Sequence, residues 1–273
     1  MSADTPTVHD KGPLLGQQVA GSQHYDPSLL FPVPRSNARA SLPERRFHGF
    51  GEDVWHAYEL SWLSASGMPR AFVGTFCVPS VSANIIESKS FKLYLNSLNS
   101  HRFASDEAAR EAIKRDLSEV AGASVSLTLS EPQDPSFHGE ALMGTSLDRL
   151  EVVVPDMAEA AMLTPVPGDA QLYTHLMRSL CPVTAQPDWA TVIVETRGVS
   201  PDQEGLLRYL LAYRNHQEFH EQCVERIYTD LWNQLQPDFL SVHALYTRRG
   251  GLDICPWRCS VDAPAPRYRL NRQ

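Results

Sequence analysis

The sequence predicts an α+β fold of antiparallel strands and amphipathic helices, on three observations. Two strand-like segments, WHAYELSW and AFVGTFCV, flank the turn SASG, as in a hairpin. Apolar residues recur at helical spacing over residues 106–120 and 219–231. The motif KLYLNSLNSHRF has a counterpart, LRYLLAYRNHQEF, about 115 residues later, and each leads into an amphipathic helix. We expect two strand-strand-helix-helix-strand-strand units; chance similarity of two amphipathic helices is the alternative.

The first half begins with a segment rich in proline, serine, glycine and aspartate, which predicts an irregular lead-in over residues 1–45. Strands are predicted at residues 55–62 and 71–78, helical structure over 96–121, and further strands at 124–129 and 150–154. Within the helical region, Ser105 followed by Asp106 and Glu107 predicts an N-cap and an acidic first turn.

The second half is predicted to contain a strand at 189–195, helices at 203–213 and 218–235, a strand at 239–247 and a tight turn at 248–251. We therefore divide the chain into the lead-in 1–45, a first unit 46–155 and a second, catalytic unit 156–273.

Composition excludes several classes of protein. With 24 basic and 32 acidic residues among 273, the net charge of −8 argues against a surface that grips nucleic-acid backbone. An apolar content of 42% and a charged content of 21% are typical of a globular chain rather than a disordered one. No apolar run approaches the roughly 20 residues of a membrane helix, and no secretory pattern begins the sequence. The five cysteines are sparse, so we expect a cytoplasmic protein with reduced thiols.

The sharpest chemical signal is the segment SLCPVTAQPDW. Cys181 lies in a proline-bounded, hydroxyl-rich stretch before a predicted strand, and Asp188 follows seven positions later, between Pro187 and Trp189. This partly apolar setting disfavours an ionised carboxylate, and an aspartate kept protonated there can donate a proton. The sequence does not fix the protonation state of Asp188 before substrate arrives. A neutral acid is compatible with a thiolate at Cys181, whereas an anionic one would oppose it. A buried structural cysteine with a turn-capping aspartate is the alternative.

A second candidate segment is HQEFHEQC. His220 and Glu221 begin a predicted helix, and adjacent helical positions point about 100° apart, so the two side chains can line one pocket. A carboxylate suits the N–H edge of a guanine-like ring because it accepts two parallel hydrogen bonds. His216 and His220 also have metal-ligand spacing, but the strict zinc-protease patterns are absent. A solvated helix N-terminus is the alternative.

A third candidate segment, IESKSFKLYLNS, offers the carboxylate of Glu87 and the amines of Lys89 and Lys92, which are suited to phosphates. A polar strand-to-helix connection is the simpler interpretation. Neither a P-loop nor a complete dinucleotide fingerprint is present, which argues against a Rossmann domain. The turn RRGG is either a plain hairpin turn or a phosphate-binding one.

Four segments together resemble the NADPH-dependent 7-cyano-7-deazaguanine reductases, the QueF family, in the long form with two tandem tunnelling-fold (T-fold) units. They are ESKSFKLYLNS, CPVTAQPDWA, FHEQCVERI and TRRGGLDICPWR. The resemblance extends over most of the chain from about Trp55 onward, and implies antiparallel sheets with helices packed on one face. One departure is Ala185, where the family has glycine as often as not.

The resemblance implies a reaction in which a nitrile on a deazapurine is reduced to a primary amine, a step toward queuosine in transfer RNA. Cys181 would form a covalent thioimide, Asp188 would protonate the nitrogen with His220 assisting, and NADPH would deliver two hydrides. No metal is implied. In the long form, the site draws on residues of both units.

The same resemblance implies the binding residues. The deazaguanine would contact Ile86, Glu87, Ser88, His220 and Glu221, and NADPH would contact Ser88, Lys89, Arg249 and Gly250. The small-molecule deazapurine is the expected partner, with no direct nucleic-acid or membrane contact. A homodimer or larger homo-oligomer is expected, because T-folds generally close their sheets into barrels by association.

Three alternatives remain at this point. The first is a zinc-dependent T-fold cyclohydrolase acting on a pterin-like ring, with Cys181, His220 and Cys223 as ligands. The others are a non-catalytic purine-binding module and a cysteine hydrolase that uses Cys181, His220 and an acid. Cys255 and Cys259 do not have zinc-ribbon spacing and are expected to be structural or incidental.

Overall fold

A computed structural model of the chain describes residues 24–43 and 47–273. Most of the predicted lead-in, residues 1–23 with 44 and 45, lies outside the described residues, as does residue 46. Its described part contains a 3-10 turn (Pro27–Leu29), a short strand and a short helix.

The described residues form both strands and α-helices, interspersed along the chain. The strands are β1 (Pro32–Pro34), β2 (Phe50–Leu63), β3 (Pro69–Pro79), β4 (Asn84–Ile86), β5 (Ser126–Ser130), β6 (Thr145–Ser146), β7 (Pro165–Pro167), β8 (Ala170–Leu180), β9 (Pro187–Arg197), β10 (Val199–Pro201), β11 (Phe239–Tyr246) and β12 (Leu252–Cys259). The helices are α1 (Arg35–Arg39), α2 (Ser88–Ser97), α3 (Asp106–Ala121), α4 (Gln203–Leu211) and α5 (His220–Leu235). The predicted α+β class is confirmed.

Contacts divide the described chain into two compact units. The first comprises residues 24–35, 55–134 and 249–252. Here β3 lies between β2 and β5, antiparallel to β5, and β1 pairs antiparallel with β4. Helix α3 begins at the predicted cap, where the Ser105 hydroxyl accepts a hydrogen bond from the main-chain N–H of Ala108, and ends at Gly122 in the left-handed region.

The second unit comprises residues 36–43, 47–54, 135–248 and 253–273. Its strands lie in the order β12-β11-β9-β8-β6, antiparallel except for the short β6–β8 pair. Alternate residues of β9 and β11, such as Val192 and Val242, are buried in one cluster with Leu210 of α4 and Ile227 of α5. In this unit the helices therefore pack against one face of the sheet, as the period-two alternation of strand side chains requires.

Most predicted elements are confirmed, with boundaries shifted by a few residues. The strands predicted at 55–62, 71–78, 124–129, 189–195 and 239–247 correspond to β2, β3, β5, β9 and β11, and the helices predicted at 203–213 and 218–235 correspond to α4 and α5. The helical region predicted over 96–121 is instead the end of α2, a turn and α3. The unit boundaries predicted near residues 45 and 155 remain predictions.

Two sequence expectations fail. The strand predicted at 150–154 does not form, and Val153 is 84% exposed. Strands β8 and β12 were not predicted. In the described part of the chain, none of the helices has both the length and the apolarity that crossing a membrane requires.

Candidate active site

Cys181 lies in the tight turn that connects β8 to β9. Its main-chain N–H donates to the carbonyl oxygen of Gln186 (2.9 Å), and the N–H of Ala185 donates back to the Cys181 carbonyl oxygen (3.0 Å). Ala185 closes this turn with a left-handed φ of 53°. Cys181 itself is only 2% exposed. The thiol is therefore held at a defined position by the main chain rather than carried on a free loop.

Asp188 and His220 form a buried acid–imidazole pair. Asp188 is the second residue of β9, opposite Ser179 of β8, and His220 is the first residue of α5. Asp188 Oδ2 lies 3.0 Å from His220 Nε2, and both residues are buried. The pair can share one proton across this contact, so either group can donate it to a bound molecule. The buried Nδ1 atom of His220 has no hydrogen-bond partner among the described residues.

The ring of Tyr246 fixes the plane of the His220 imidazole. The two rings are stacked, with centroids 3.7 Å apart and an interplanar angle of 13°. Tyr246 ends β11 and is buried, and burial raises the pKa of its hydroxyl well above the ordinary value, so the hydroxyl stays neutral. The stack thus limits tilting of the His220 ring, whose Nε2 faces Asp188.

A backbone junction brings the start of α5 to the Cys181 turn. Leu180 forms a parallel bridge with Gln217. The N–H of Leu180 donates to the carbonyl oxygen of His216 (2.9 Å), and the N–H of Glu218 donates to that of Leu180 (3.3 Å). Because Leu180 directly precedes Cys181, the thiol and the acid–imidazole pair are anchored to the same junction.

Glu218 beside this junction is fully engaged. It accepts hydrogen bonds from Arg226 Nε (3.2 Å) and Nη2 (2.9 Å), and Oε2 lies 2.8 Å from His216 Nε2. Burial acts to raise the pKa of Glu218, but the interactions with His216 and Arg226 outweigh it and hold that pKa below its ordinary value. Glu218 is therefore an anion with its counter-charge already in place.

The ligand atoms of His216, Glu218 and Cys223 lie within 4.8 Å of one another, so they are a possible metal cluster. Arg226 already neutralises Glu218, and burial raises the pKa of the Cys223 thiol well above its ordinary value, which opposes the thiolate that a metal needs. The ligands of the zinc alternative, Cys181, His220 and Cys223, do not gather in such a cluster among the described residues. The geometry does not favour a zinc centre.

In the first unit, Glu87 caps the start of α2. Oε1 accepts from the N–H of Lys89 (3.0 Å) and Oε2 from the N–H of Ser90 (2.8 Å). Glu87 is completely buried, and burial raises its pKa although these hydrogen bonds oppose the rise. Ile86, at the end of β4, is buried, whereas Ser88 and Lys89, the first residues of α2, are half-buried. The segment therefore combines one buried carboxylate with two half-buried polar residues that follow it in the chain.

The RRGG segment is a tight turn, as predicted. The N–H of Arg249 donates to the carbonyl oxygen of Leu252 (3.0 Å), and the reciprocal bond is 3.2 Å long. Gly250 and Gly251 have φ of 60° and 80°, which favours glycine at both positions. The two glycines line a small open cleft together with Ala57, Glu59, Lys92, Leu95, Asn96 and Leu252.

The structure thus joins Asp188 to His220 in the second unit, and places Glu221, which is 2% exposed, beside His220 in α5. It groups Ile86, Glu87, Ser88 and Lys89 at one helix start in the first unit, where Arg249 and Gly250 form the turn. Sequence reasoning missed Tyr246, because an aromatic residue that ends a predicted strand has the pattern of any core residue.

The second unit thus holds a buried thiol in a tight turn and an acid–imidazole pair on neighbouring elements. Two family models match the chain. The model described as "Nitrile reductase, 7-cyano-7-deazaguanine-reductase N-term" matches residues 22–129, and the one described as "QueF-like protein" matches residues 187–265.

Curated relatives match over nearly the whole chain. A protein of Stenotrophomonas maltophilia (strain K279a) is 50% identical, covering 95% of this chain and 97% of its own. One of Teredinibacter turnerae is 50% identical over 90% and 91%, and one of Bordetella pertussis is 48% identical over 95% and 97%. All three are named NADPH-dependent 7-cyano-7-deazaguanine reductase. The chain belongs to the 7-cyano-7-deazaguanine reductase (QueF) family.

A solved structure of the archaeosine synthase QueF-Like in the apo form overlaps 36% of this chain and 99% of its own, with a TM-score of 0.33 and 22% identity. This overlap is too weak to define the fold.

Proposed function

We propose that the protein reduces the nitrile of 7-cyano-7-deazaguanine to the primary amine of 7-aminomethyl-7-deazaguanine, with NADPH as reductant, in the biosynthesis of queuosine. The observation that carries the proposal is the anchoring of the Cys181 turn and the Asp188–His220 pair to one backbone junction. The 50% identity, over at least 90% of the chain, to relatives named for this reaction supports the proposal. We also propose that the two units are tandem T-folds and that the chain acts as a homodimer or larger homo-oligomer.

Cys181 is the proposed nucleophile. Its sulfur forms a bond to the nitrile carbon while one π bond of the C≡N group breaks, and the nitrile nitrogen takes up one proton. The product is a thioimide, which accepts hydride more readily than the nitrile does. Burial of Cys181 keeps water from this intermediate and so protects it from hydrolysis.

The Asp188–His220 pair is the proposed proton source. A proton lost from the Cys181 thiol and a proton gained by the substrate nitrogen balance if the pair relays one to the other. The stack of His220 on Tyr246 limits tilting of the imidazole, which keeps Nε2 within 3.0 Å of Asp188 Oδ2. Asp188, His220 and Cys181 are the proposed catalytic residues.

When bound, NADPH would supply the hydride for each of the two reductions. After the first, the C–S bond breaks, the Cys181 thiol leaves and an imine forms; the second converts this imine to the amine. We propose Ser88, Lys89, Arg249 and Gly250 as its contacts. Gly250 presents main chain without a side chain next to the amine of Lys92, which suits a phosphate-bearing cofactor, whereas Gly251 lies next to the Glu59 carboxylate, which Lys92 faces at 3.9 Å.

Ile86, Glu87, Ser88, His220 and Glu221 are the proposed contacts of the deazaguanine. Both oxygens of Glu87 already accept a main-chain hydrogen bond, so a ring N–H would use their remaining lone pairs. Glu221 offers a second buried carboxylate.

We expect Glu221→Gln to weaken substrate binding by about 1–3 kcal/mol, because a ring N–H loses a charged acceptor. Calorimetric titration with the nitrile checks this, and unchanged affinity would remove Glu221 from the binding role.

The central experiment combines an activity assay with intact-protein mass measurement. Incubation with the cyano-deazapurine alone should increase the mass of the wild-type protein by one substrate, and Cys181→Ala should abolish both the adduct and NADPH consumption while retaining substrate binding. Cys77→Ala, at a half-buried cysteine of β3, is the matched control and should behave as wild type. Nitrile reduction by Cys181→Ala would mean that the nucleophile is wrongly assigned. Ammonia release without NADPH consumption would instead identify a hydrolase.

A further inference from the structure

Three arginine side chains converge on Trp189 in the second unit. The guanidinium carbons of Arg178, Arg214 and Arg272 lie 5.9, 5.7 and 6.0 Å from the centre of the indole ring. Arg178 of β8 is directly opposite Trp189 of β9, Arg214 lies in the 3-10 turn after α4, and Arg272 is next to the last residue of the chain. Three segments distant in sequence therefore place positive charge around one ring, forming the Trp189–arginine cluster.

This cluster is separate from the candidate catalytic pair. Successive residues of a strand point to opposite faces of the sheet. Ala190 and Val192 of β9 point into the helix-covered core, and Asp188 shares their face. Trp189 and its cross-strand neighbour Arg178 consequently point to the other face, away from His220.

The arginines are oriented by the main chain but not neutralised by it. Arg178 Nη2 donates to the carbonyl oxygen of Arg214 (2.8 Å), and Arg272 Nη1 donates to that of His175 (2.9 Å). A carbonyl oxygen orients a guanidinium without cancelling its charge. Within residues 24–43 and 47–273, none of the three arginines forms an ion pair with a carboxylate, and the buried Nε of Arg178 has no acceptor.

Such a cluster is unusual in this chain, where 32 acidic residues outnumber 24 basic ones. Some other arginines of the same unit do pair with carboxylates, for example Arg226 with Glu218 and Arg197 with Glu195. Three like charges around one ring repel each other, and an anion bound among them would offset this repulsion. A phosphate group fits best, because its several oxygens accept from the N–H forks of more than one guanidinium.

We propose that the Trp189–arginine cluster is a binding site for a phosphate group. Free phosphate and the phosphate of a nucleotide present the same oxygens to the arginines, so the experiment must separate these sources. The existence of the site does not depend on the proposed reduction.

The first test is titration of the full-length protein with inorganic phosphate at constant ionic strength, followed by calorimetry and tryptophan fluorescence. Wild type should bind phosphate saturably, and Arg178→Gln and Arg272→Gln should each weaken binding at least tenfold. Arg272 is exposed and near the chain end, so its replacement is compatible with folding. Arg197→Gln is the matched control, since Arg197 lies on the same strand, 4.7 Å over the ring of Phe239, and should leave phosphate affinity unchanged. Absence of saturable binding, or equal affinity in all three variants, would overturn the proposal.

The second test identifies the source of the phosphate by comparing NADP⁺ with NAD⁺, which differ by one phosphate. Competition between phosphate and NADP⁺, with Arg272→Gln weakening NADP⁺ but not NAD⁺, would assign the site to the nucleotide. Unchanged phosphate affinity in NADP⁺-saturated protein would assign it to free phosphate. Because the titration with phosphate alone involves neither nitrile nor turnover, its failure is distinguishable from failure of the proposed reductase activity.

Discussion

Ala185 holds the turn after Cys181 in a conformation that a side chain disfavours. Its φ of 53° lies in the left-handed region, which costs a non-glycine residue roughly 1–2 kcal/mol. Glycine removes this strain, which stabilises the folded state. Glycine also has more conformational freedom in the unfolded chain, and this cancels about 0.4–1 kcal/mol of that gain. We therefore expect Ala185→Gly to raise the free energy of unfolding by up to about 1.6 kcal/mol.

Urea denaturation measures this difference. Ala108→Gly is the matched control, because Ala108 is exposed within α3 and should lose roughly 0.5–1 kcal/mol on the same replacement. A loss of stability in Ala185→Gly as large as in the control would show that the turn carries no such strain.

Single residues also show where sequence reasoning about the site reaches its limit. Cys181 and Asp188 could be selected because a proline-bounded turn and a strand start are local signals. The contact between Asp188 and His220 could not, since it depends on where α5 docks against the ends of β8 and β9. The stacking of Tyr246 on His220 has the same origin, because it needs β11 beside β9.

At the level of elements, strands with one buried face were predictable and others were not. Every residue of β12 is buried, so it shows no polar–apolar alternation, and Pro256 further weakens a strand prediction. The segment 150–154 has the opposite problem: it is apolar, but it forms no strand. Each of the two similar motifs leads into a helix (α3 or α5), as predicted. Each also covers the end of the preceding helix (α2 or α4).

The start of α2 depends on Glu87, which accepts the hydrogen bonds of two main-chain N–H groups. We expect Glu87→Ala to lower the free energy of unfolding by about 1–2 kcal/mol, because both donors lose their acceptor. Glu87→Gln should lose less, since an amide keeps one acceptor oxygen. The exposed replacement Glu119→Gln in α3 should change stability by less than about 0.5 kcal/mol. Equal stability of Glu87→Ala and the control would show that the cap is not needed.

The Glu87 variants should also differ with pH. Burial raises the pKa of Glu87, so the folded state holds its proton more tightly than the unfolded state does. The contribution of proton binding at Glu87 to the free energy of unfolding is complete below the ordinary pKa of 4.5. It is lost as the pH rises through the folded-state pKa. Denaturation curves between pH 4 and about 8 should therefore show wild type losing stability relative to Glu87→Gln as the pH rises. A constant difference would exclude this linkage.

At the scale of the molecule, the second unit is assembled from chain segments that are discontinuous in sequence, and a buried charge network joins them. Arg258 of β12 lies fully buried between Asp53 (Nη1–Oδ1, 2.7 Å) and Glu225 of α5 (Nη2–Oε1, 3.0 Å). Arg39 reaches the same Glu225 carboxylate at 2.8 Å. No local pattern predicts this network, because each partner comes from a different part of the sequence.

Breaking this network should be costly, because removal of the cation leaves carboxylates in a buried setting. We expect Arg258→Met to lower the free energy of unfolding by about 3–5 kcal/mol, measured by urea denaturation. Adding Asp53→Asn should recover part of the loss, since a neutral amide replaces a buried charge. Arg267→Met, at an arginine 47% exposed at its side chain, should stay within about 0.5 kcal/mol of wild type. If Arg258→Met loses no more than Arg267→Met, or if Asp53→Asn makes it worse, hydrophobic burial rather than charge pairing joins these segments.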